Sequence, residues 1–232
     1  NWAKGAAERQ KEIPTPAVAR TWITAYDTPH WNPTVIYDAT NITRKARKGV
    51  LSLALAETFV ELHIVWAPVE ICISRDAARD RTVGPAVIDK MLRRWQTPDI
   101  REGFDDIIIH NTYEDFDNVR YISSLTEAMM IPHDNPHHTA GVREHCINAY
   151  NYLCAKDGLV LDDLKTAAYW HDLGKPYTKF YKIDPATGKP DYSKAHYYDH
   201  QNVGAYLAYG LFMIPGHNLY EGEMRRINWI SW

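Results

Sequence analysis

The order of elements in this 232-residue chain predicts a parallel α/β fold over residues 1–115 followed by an all-helical fold over residues 130–232. Three observations carry that expectation. Short apolar runs alternate with amphipathic stretches from Val35 to about His110, strand signals stop after about Asn111, and the remainder places its apolar residues at helical spacing.

Val35-Ile36-Tyr37 reads as a buried strand, residues 44–56 as a helix, 60–66 as a second strand and 104–109 as a third. Between the last two, residues 69–79 and 85–95 have helical spacing. Pro85 suits the first turn of the second helix, where a missing N–H leaves no bond unmade. In the second half Val142, Cys146, Ala149, Tyr150 and Leu153 form one helical stripe. Leu164, Ala167, Ala168 and His171 form another, and Val203, Tyr206, Leu207 and Leu211 a third. Asp162 and Asp163 stand where an N-cap belongs, and Gly174 with Pro176 closes that helix. Residues 184–191 are turn-rich and read as an exposed loop before His196. The boundary between the halves is expected between Asn111 and Met130.

Composition permits this organisation: 45% hydrophobic and 24% charged residues describe an ordinary protein with chain enough for two modest cores. A formal net charge of -3 argues against a strongly basic nucleic-acid binder, while local arginine clusters remain able to hold phosphate. Cys72, Cys146 and Cys154 lack any C-x-x-C spacing, which favours neither a disulfide scaffold nor a zinc-thiolate site and fits a reducing cytoplasm. No apolar run approaches the roughly 20 residues that span a bilayer. The start Asn1-Trp2-Ala3-Lys4 carries no apolar signal core, so no membrane partner is expected.

The most informative residues are His171 and Asp172, in the run Trp170-His171-Asp172-Leu173-Gly174-Lys175-Pro176. An imidazole beside a carboxylate offers a divalent cation two ligands from one turn of backbone. His138 about one helix upstream and His200 about one helix downstream complete a convergent set. Nitrogen with carboxylate oxygen suits Mn, Fe, Co, Ni or Zn and, in carboxylate-richer versions, Mg. A cation so held makes water a usable nucleophile and neutralises a phosphoryl oxygen, which points to phosphoester hydrolysis. His137, His145, His196 and His217 read as packing or surface residues, and Tyr192, Tyr197, Tyr198 and Tyr206 as core more than as base-stacking rings.

Three stretches in this order, residues 135–145, residues 170–176 and residues 200–205, resemble the HD-domain phosphohydrolases, in particular the HD module of tRNA nucleotidyltransferases. The resemblance covers residues 130–232. It implies His138, His171 and Asp172 as ligands of a first metal, His200 as a ligand of a second, and Lys175 as a contact to the scissile phosphate. The family also uses a later aspartate. Residues 216–232 contain none, and Asp191 and Asp199 lie on the wrong side of the third motif, so either the chain stops before that helix, which is the expectation, or the coordination is completed differently.

In the first half, Asp38-Ala39-Thr40-Asn41 follows a strand and precedes Thr43-Arg44-Lys45-Ala46-Arg47, at the sheet edge where α/β folds bind ligands. Arg75 and Arg79 share a helical face, with Asp76 and Asp80 available as partners in a purely solvated reading. The Asp-x-Thr-Asn turn and the Arg-x-x-x-Arg pair resemble the later part of polynucleotide-kinase-type P-loop kinases over about residues 30–110. That resemblance implies Arg79, with Arg75, as the arginine stabilising charge in phosphoryl transfer, and Asp38, Thr40, Asn41 and Arg44 as the phosphate or acceptor side. No G-x-x-x-x-G-K-[ST] occurs, so ATP is expected only for a longer parent and this chain is not expected to be a competent kinase.

The co-occurrence of both resemblances implies a bifunctional enzyme healing nucleic-acid ends. Its second half would act as a metal-dependent phosphatase or phosphodiesterase, with Lys175, Asp172 and Arg79 as catalytic groups. The alternatives are a small-nucleotide phosphohydrolase and an inactive phosphate-binding module.

Overall fold

The computed structural model describes residues 20–26, 35–55, 58–113, 115–136, 138–156, 161–213 and 221–231, in two compact units that divide between Phe116 and Asp117. His137, His217, Ala56 and the chain start at Asn1 lie outside the described residues.

The first unit runs β1 (Arg20–Tyr26), β2 (Val35–Ala39), α1 (Arg44–Leu51), β3 (Phe59–Trp66), α2 (Val69–Ala77), α3 (Pro85–Arg93), a 3₁₀ turn (Ile100–Glu102) and β4 (Asp106–Asn111). Its sheet has the order β2-β1-β3-β4: the strands read from the sequence run parallel to one another, and β1, a strand that reading lacked, stands antiparallel between two of them. β1 pairs antiparallel with both β2 and β3, and only β3 and β4 pair parallel. Two antiparallel steps restore direction, so β2, β3 and β4 all point the same way and their carboxyl ends share one edge. The expectation of a buried Val35-Ile36-Tyr37 is corrected: these residues are 60%, 43% and 42% exposed, because β2 is an edge strand.

β3 supplies the core with Val60, Leu62, Ile64 and Trp66, the alternate positions that a pleated strand turns to one face. Ile88 and Leu92 of α3 and Cys72 of α2 are buried in the same unit. α1 begins at an N-cap, Thr43, whose side chain accepts from the Ala46 N–H at 3.2 Å. Asp76, on α2, is buried and accepts the backbone N–H groups of Val83 and Gly84, with Gly84 at 2.8 Å. Those donors tie the end of α2 to the start of α3.

The second unit runs α4 (Asn118–Ala128), α5 (Val142–Cys154), α6 (Asp162–Trp170), α7 (Lys175–Thr178), β5 (Phe180–Ile183), β6 (Pro190–His196), α8 (His200–Phe212) and α9 (Glu221–Ile230). The all-helical expectation is corrected by the antiparallel hairpin β5–β6, whose turn is the segment read as a loop. Its strands alternate too many polar residues to signal a buried strand. α6 takes Leu161 as its N-cap, with Asp162 and Asp163 in the first turn favouring the positive end of the helix dipole. α8 is buried from Val203 to Leu211 without a polar face, which makes it the central element.

α7 and α8 meet backbone to backbone. A Cβ on Gly174 would lie 2.0 Å from the His200 carbonyl oxygen and 2.7 Å from the Gly204 nitrogen, so no side chain fits there.

Two predictions follow from this packing. Gly174→Ala must push α8 away and is expected to cost about 1–3 kcal/mol or more, measured by urea unfolding; a loss below about 0.5 kcal/mol contradicts the contact. The N–H groups of Gly84 and Val83 hold the Asp76 carboxyl below the usual carboxylate range. A depressed folded value contributes stability that is complete above about pH 4 and is lost as pH falls through that lower value. In Asp76→Asn, unfolding free energy should therefore be lower at pH 7 and fall less steeply on acidification than in the wild type; equal slopes would refute the assignment.

Candidate metal centre

The second unit gathers imidazoles around one carboxylate. Asp172 is buried, at 2% exposure, in the turn between α6 and α7. Its Oδ2 lies 3.3 Å from Nε2 of His171, 3.7 Å from that of His133 and 3.8 Å from that of His145; its Oδ1 lies 3.5 Å from Nε2 of His200. Lys175 Nζ is 2.7 Å from Oδ2 and 3.1 Å from His133 Nε2. Oδ2 is nevertheless an orphan in directional terms: it is buried and accepts no hydrogen bond of good geometry. An ion pair without a well-aligned donor leaves a lone pair aimed into a ring of nitrogens.

Backbone carbonyls fix which nitrogen each ring presents. Nδ1 of His171 is 2.7 Å from the Ala168 oxygen, Nδ1 of His200 is 2.8 Å from the Tyr197 oxygen, and Nδ1 of His133 is 2.7 Å from the Ala140 oxygen. Since a carbonyl only accepts, each Nδ1 carries the proton in the neutral ring, and each Nε2 turns a lone pair towards Asp172. Helix ends make this possible: His171 caps α6, where its ring reaches back to the last turn, and His200 opens α8.

Electrostatics agree with the geometry. Burial lowers His133, His145 and His200 below the ordinary histidine value, so all three are neutral at pH 7 and able to bind a cation. Burial would lower His171 as well, but the Asp172 carboxylate and the Cys146 sulfur, 3.8 Å from Nδ1, raise it to about 10. Burial works to raise Asp172, and His171 with Lys175 outweighs it, holding the carboxyl well below its usual range. In the chain alone, protonated His171 and Lys175 balance the buried charge.

Among the described residues, His145, His171 and Asp172 offer ligand atoms within 4.8 Å of one another. His138, expected as a ligand, is not in this group, and His145, expected as a packing or surface residue, is. The His138 ring instead stacks on His133 at 4.2 Å. His145 was legible, since it lies three residues after buried Val142 and beside buried Cys146, on the inward face of α5. His133 lies in a loop and had no periodicity to reveal it. Asp191 is occupied by Ser193, and Asp199 serves as the left-handed residue before α8, at φ 64°.

The first unit's candidates are dispersed in their roles. Asp38 and Thr40 are exposed at the end of β2, and Asn41 is buried with φ 40° and its Nδ2 without a hydrogen bond. Arg44 is exposed, its Nε 3.5 Å from Glu102. The missed residue is Arg47, fully buried, which donates to both Glu102 oxygens and to the Asn41 carbonyl and so fixes the turn. Arg75, expected as a phosphate ligand, donates to the Thr112 hydroxyl at 2.8 Å and to its carbonyl, bracing the end of β4. Arg79 lies 3.9 Å from Asp76 and is about one-third exposed, so it retains access to solvent.

The comparisons with known proteins bear on this first unit. Residues 7–98 match the family model described as an AAA domain, a P-loop NTPase-like kinase fold. The match covers less than half of the chain, and over it the chain is similar to P-loop kinase-like domains. A curated protein from Arabidopsis thaliana, "Transcription factor bHLH140", is 31% identical over 91 residues, which is 36% of this chain. The match spans 10% of that protein's length. No solved structure matches. Among the described residues no helix is long and apolar enough to cross a membrane.

The His145 and His138 assignments separate by titration with manganese. His145→Ala is expected to weaken binding by about tenfold or more and His138→Ala by less than about threefold; the reverse order restores the assignment made from sequence.

Proposed function

We propose that the second unit is a metal-dependent phosphohydrolase of the HD type, and that the chain is part of a bifunctional enzyme that repairs nucleic-acid ends. The observation that carries this reading is the orphaned Asp172 Oδ2 facing the Nε2 atoms of His133, His145 and His171 at 3.3–3.8 Å, with His200 Nε2 3.5 Å from the other carboxylate oxygen. Buried carboxylates normally satisfy every lone pair; here Lys175 and protonated His171 balance the charge without a well-aligned hydrogen bond to Oδ2, and the neutral His133 and His145 rings offer that oxygen no donor. A cation is the group that suits both.

His145, His171 and Asp172 would hold it, with His133 and His200 near enough to complete or extend the coordination. An imidazole-rich set favours Mn, Fe, Co, Ni or Zn over Mg. Such an ion supplies Lewis-acid charge to a phosphoryl oxygen and brings water into its nucleophilic form near neutral pH. The chain's own groups then have separate tasks. Lys175, 8% exposed and beside Asp172, is placed to set its ammonium against an equatorial phosphoryl oxygen as charge builds there. The carbonyls of Ala168, Tyr197 and Ala140 keep the imidazoles from turning. Water adds to phosphorus, the phosphorus–oxygen bond to the leaving alcohol breaks, and the water proton leaves with that alcohol.

The kinase-like first unit supports a nucleotide or a nucleic-acid end as the partner, since P-loop folds of this class transfer phosphoryl groups. ATP would belong to that half in a longer parent. The exposed Asp38–Thr40 turn and Arg79 would face the acceptor.

Oligonucleotides ending in 2′,3′-cyclic phosphate or 3′-phosphate, with manganese or nickel, test this. Turnover is expected that disappears with a chelator, returns with metal and falls by about a thousandfold in Asp172→Ala and in His171→Ala. Turnover unchanged in both variants overturns the reading.

A further inference from the structure

The hairpin β5–β6 carries a group of rings that the imidazole cluster does not use. Phe180 of β5 pairs in register with His196 of β6, and Tyr198 follows two residues later. The ring centroids lie 5.4 Å apart for Phe180 and His196, 5.4 Å for Phe180 and Tyr198, and 5.5 Å for His196 and Tyr198. Clustered rings normally belong to a core. These do not: Phe180 is 37% and Tyr198 53% exposed, and His196 is half-buried.

The intervening residues anchor the hairpin. The Tyr181 hydroxyl and the Lys179 ammonium donate to the Asp134 carboxylate, and the Ala195 N–H donates to the Asp134 carbonyl at 2.7 Å. Tyr197, between His196 and Tyr198, donates its hydroxyl to the His133 carbonyl, and its own carbonyl lies 2.8 Å from Nδ1 of His200. Alternate positions of an extended chain face opposite ways, so fastening through Tyr181, Ala195 and Tyr197 leaves the three rings on the outward side.

Charge says what those rings can meet. Lys182 sets its ammonium over the Tyr198 ring, 5.4 Å from the centroid, and Lys194 stands two residues before His196 on β6. Both are exposed, and among the described residues neither is in ion-pair contact with a carboxylate, whereas Lys179 is held by Asp134. The carboxylates of this segment are engaged in its turns. Asp184 accepts from the Ala186 N–H and the Thr187 hydroxyl, Asp191 accepts from the Ser193 N–H and hydroxyl, and Asp199 stands in the turn into α8. Burial and the charges of Lys182 and Lys194 hold His196 below the ordinary histidine value, against a smaller pull from Asp191, so its ring is neutral at pH 7.

Exposed rings beside ammonium groups without a carboxylate partner fit a ligand that alternates flat apolar faces with anions. A single strand of nucleic acid is such a ligand, since every base has a face to stack and every link carries a phosphate. A duplex is not, because its bases are stacked on one another inside.

We propose that the outward face of the β5–β6 hairpin binds single-stranded nucleic acid, with bases stacking on Tyr198 and Phe180 and phosphates on Lys182 and Lys194. The site is built from residues outside the imidazole cluster and does not rest on the hydrolase reading.

Fluorescence anisotropy of the whole chain with a labelled single strand of about twelve thymidylates, in chelator so that no metal takes part, tests it. Binding is expected, and a duplex of the same length should bind at least about tenfold more weakly. Tyr198→Ala should weaken the single strand by about tenfold, whereas Tyr198→Phe, which keeps the ring, should stay within about twofold of the wild type. Replacing both Lys182 and Lys194 with alanine should lower the slope of log affinity against log salt by about 1.4, since each lost phosphate contact removes about 0.7. A wild type that ignores the single strand, binds the duplex equally well, or binds phosphatidylserine vesicles in its place overturns the proposal, as do unchanged affinity in Tyr198→Ala and an unchanged salt slope. The chelator separates the two readings: loss of binding leaves metal-dependent turnover intact, and loss of turnover leaves this binding intact.

Discussion

The backbone contact between Gly174 and Gly204 is the constraint on which the second unit depends. It lets the His200 carbonyl come to where a side chain on residue 174 would stand, and so brings the start of α8 against the turn that carries His171 and Asp172. Each histidine of the centre comes from a different local setting: a loop for His133, a helix face for His145, a helix end for His171 and a helix start for His200. Only dense backbone packing holds such dispersed groups to a few ångströms. The fully buried α8 supplies that density, and its small residues Ala205 and Ala208 allow neighbours close.

That arrangement is costly unless something offsets it. Burying a carboxylate disfavours its charge, and the cluster compensates with one ammonium and one imidazolium in the chain by itself. Neutral His133, His145 and His200 contribute lone pairs and no charge. Polar groups arranged for their lone pairs, and held by carbonyls so that those lone pairs converge, favour a ligand over simple stability. Function and fold are in tension here, as sites commonly show.

Much of this was legible in the chain. The pair His171-Asp172, the third motif at His200 and the glycine after the dipeptide stood out because chemistry-bearing residues occupied helix ends. The helices of the first half and β3 and β4 followed from spacing alone. What escaped had physical reasons. β1 is rich in β-formers, yet its antiparallel placement between β2 and β3 depends on pairing that no local pattern encodes. Val35-Ile36-Tyr37 has the composition of a buried strand and lies at an edge. His138 attracted attention by its motif position, while His145 belonged to a helix face shared with Val142 and Cys146. Arg47 looked like part of a basic cluster and is a buried strut against Glu102.

The two halves make different kinds of statement about phosphate. In the first unit Arg47 and Arg75 are consumed in holding the carboxyl edge of the sheet in shape, and the kinase-like likeness rests on the match over residues 7–98. In the second unit the charged groups converge on one oxygen. The central claim, that imidazole nitrogens and the Asp172 carboxylate share one cation, is tested most directly by X-ray absorption at the metal edge of the zinc- or cobalt-loaded chain. The account predicts at least two imidazole nitrogens and one carboxylate oxygen in the shell near 2.0–2.2 Å, with the oxygen lost in Asp172→Ala. A shell of water oxygens alone, the same with and without Asp172, would contradict it.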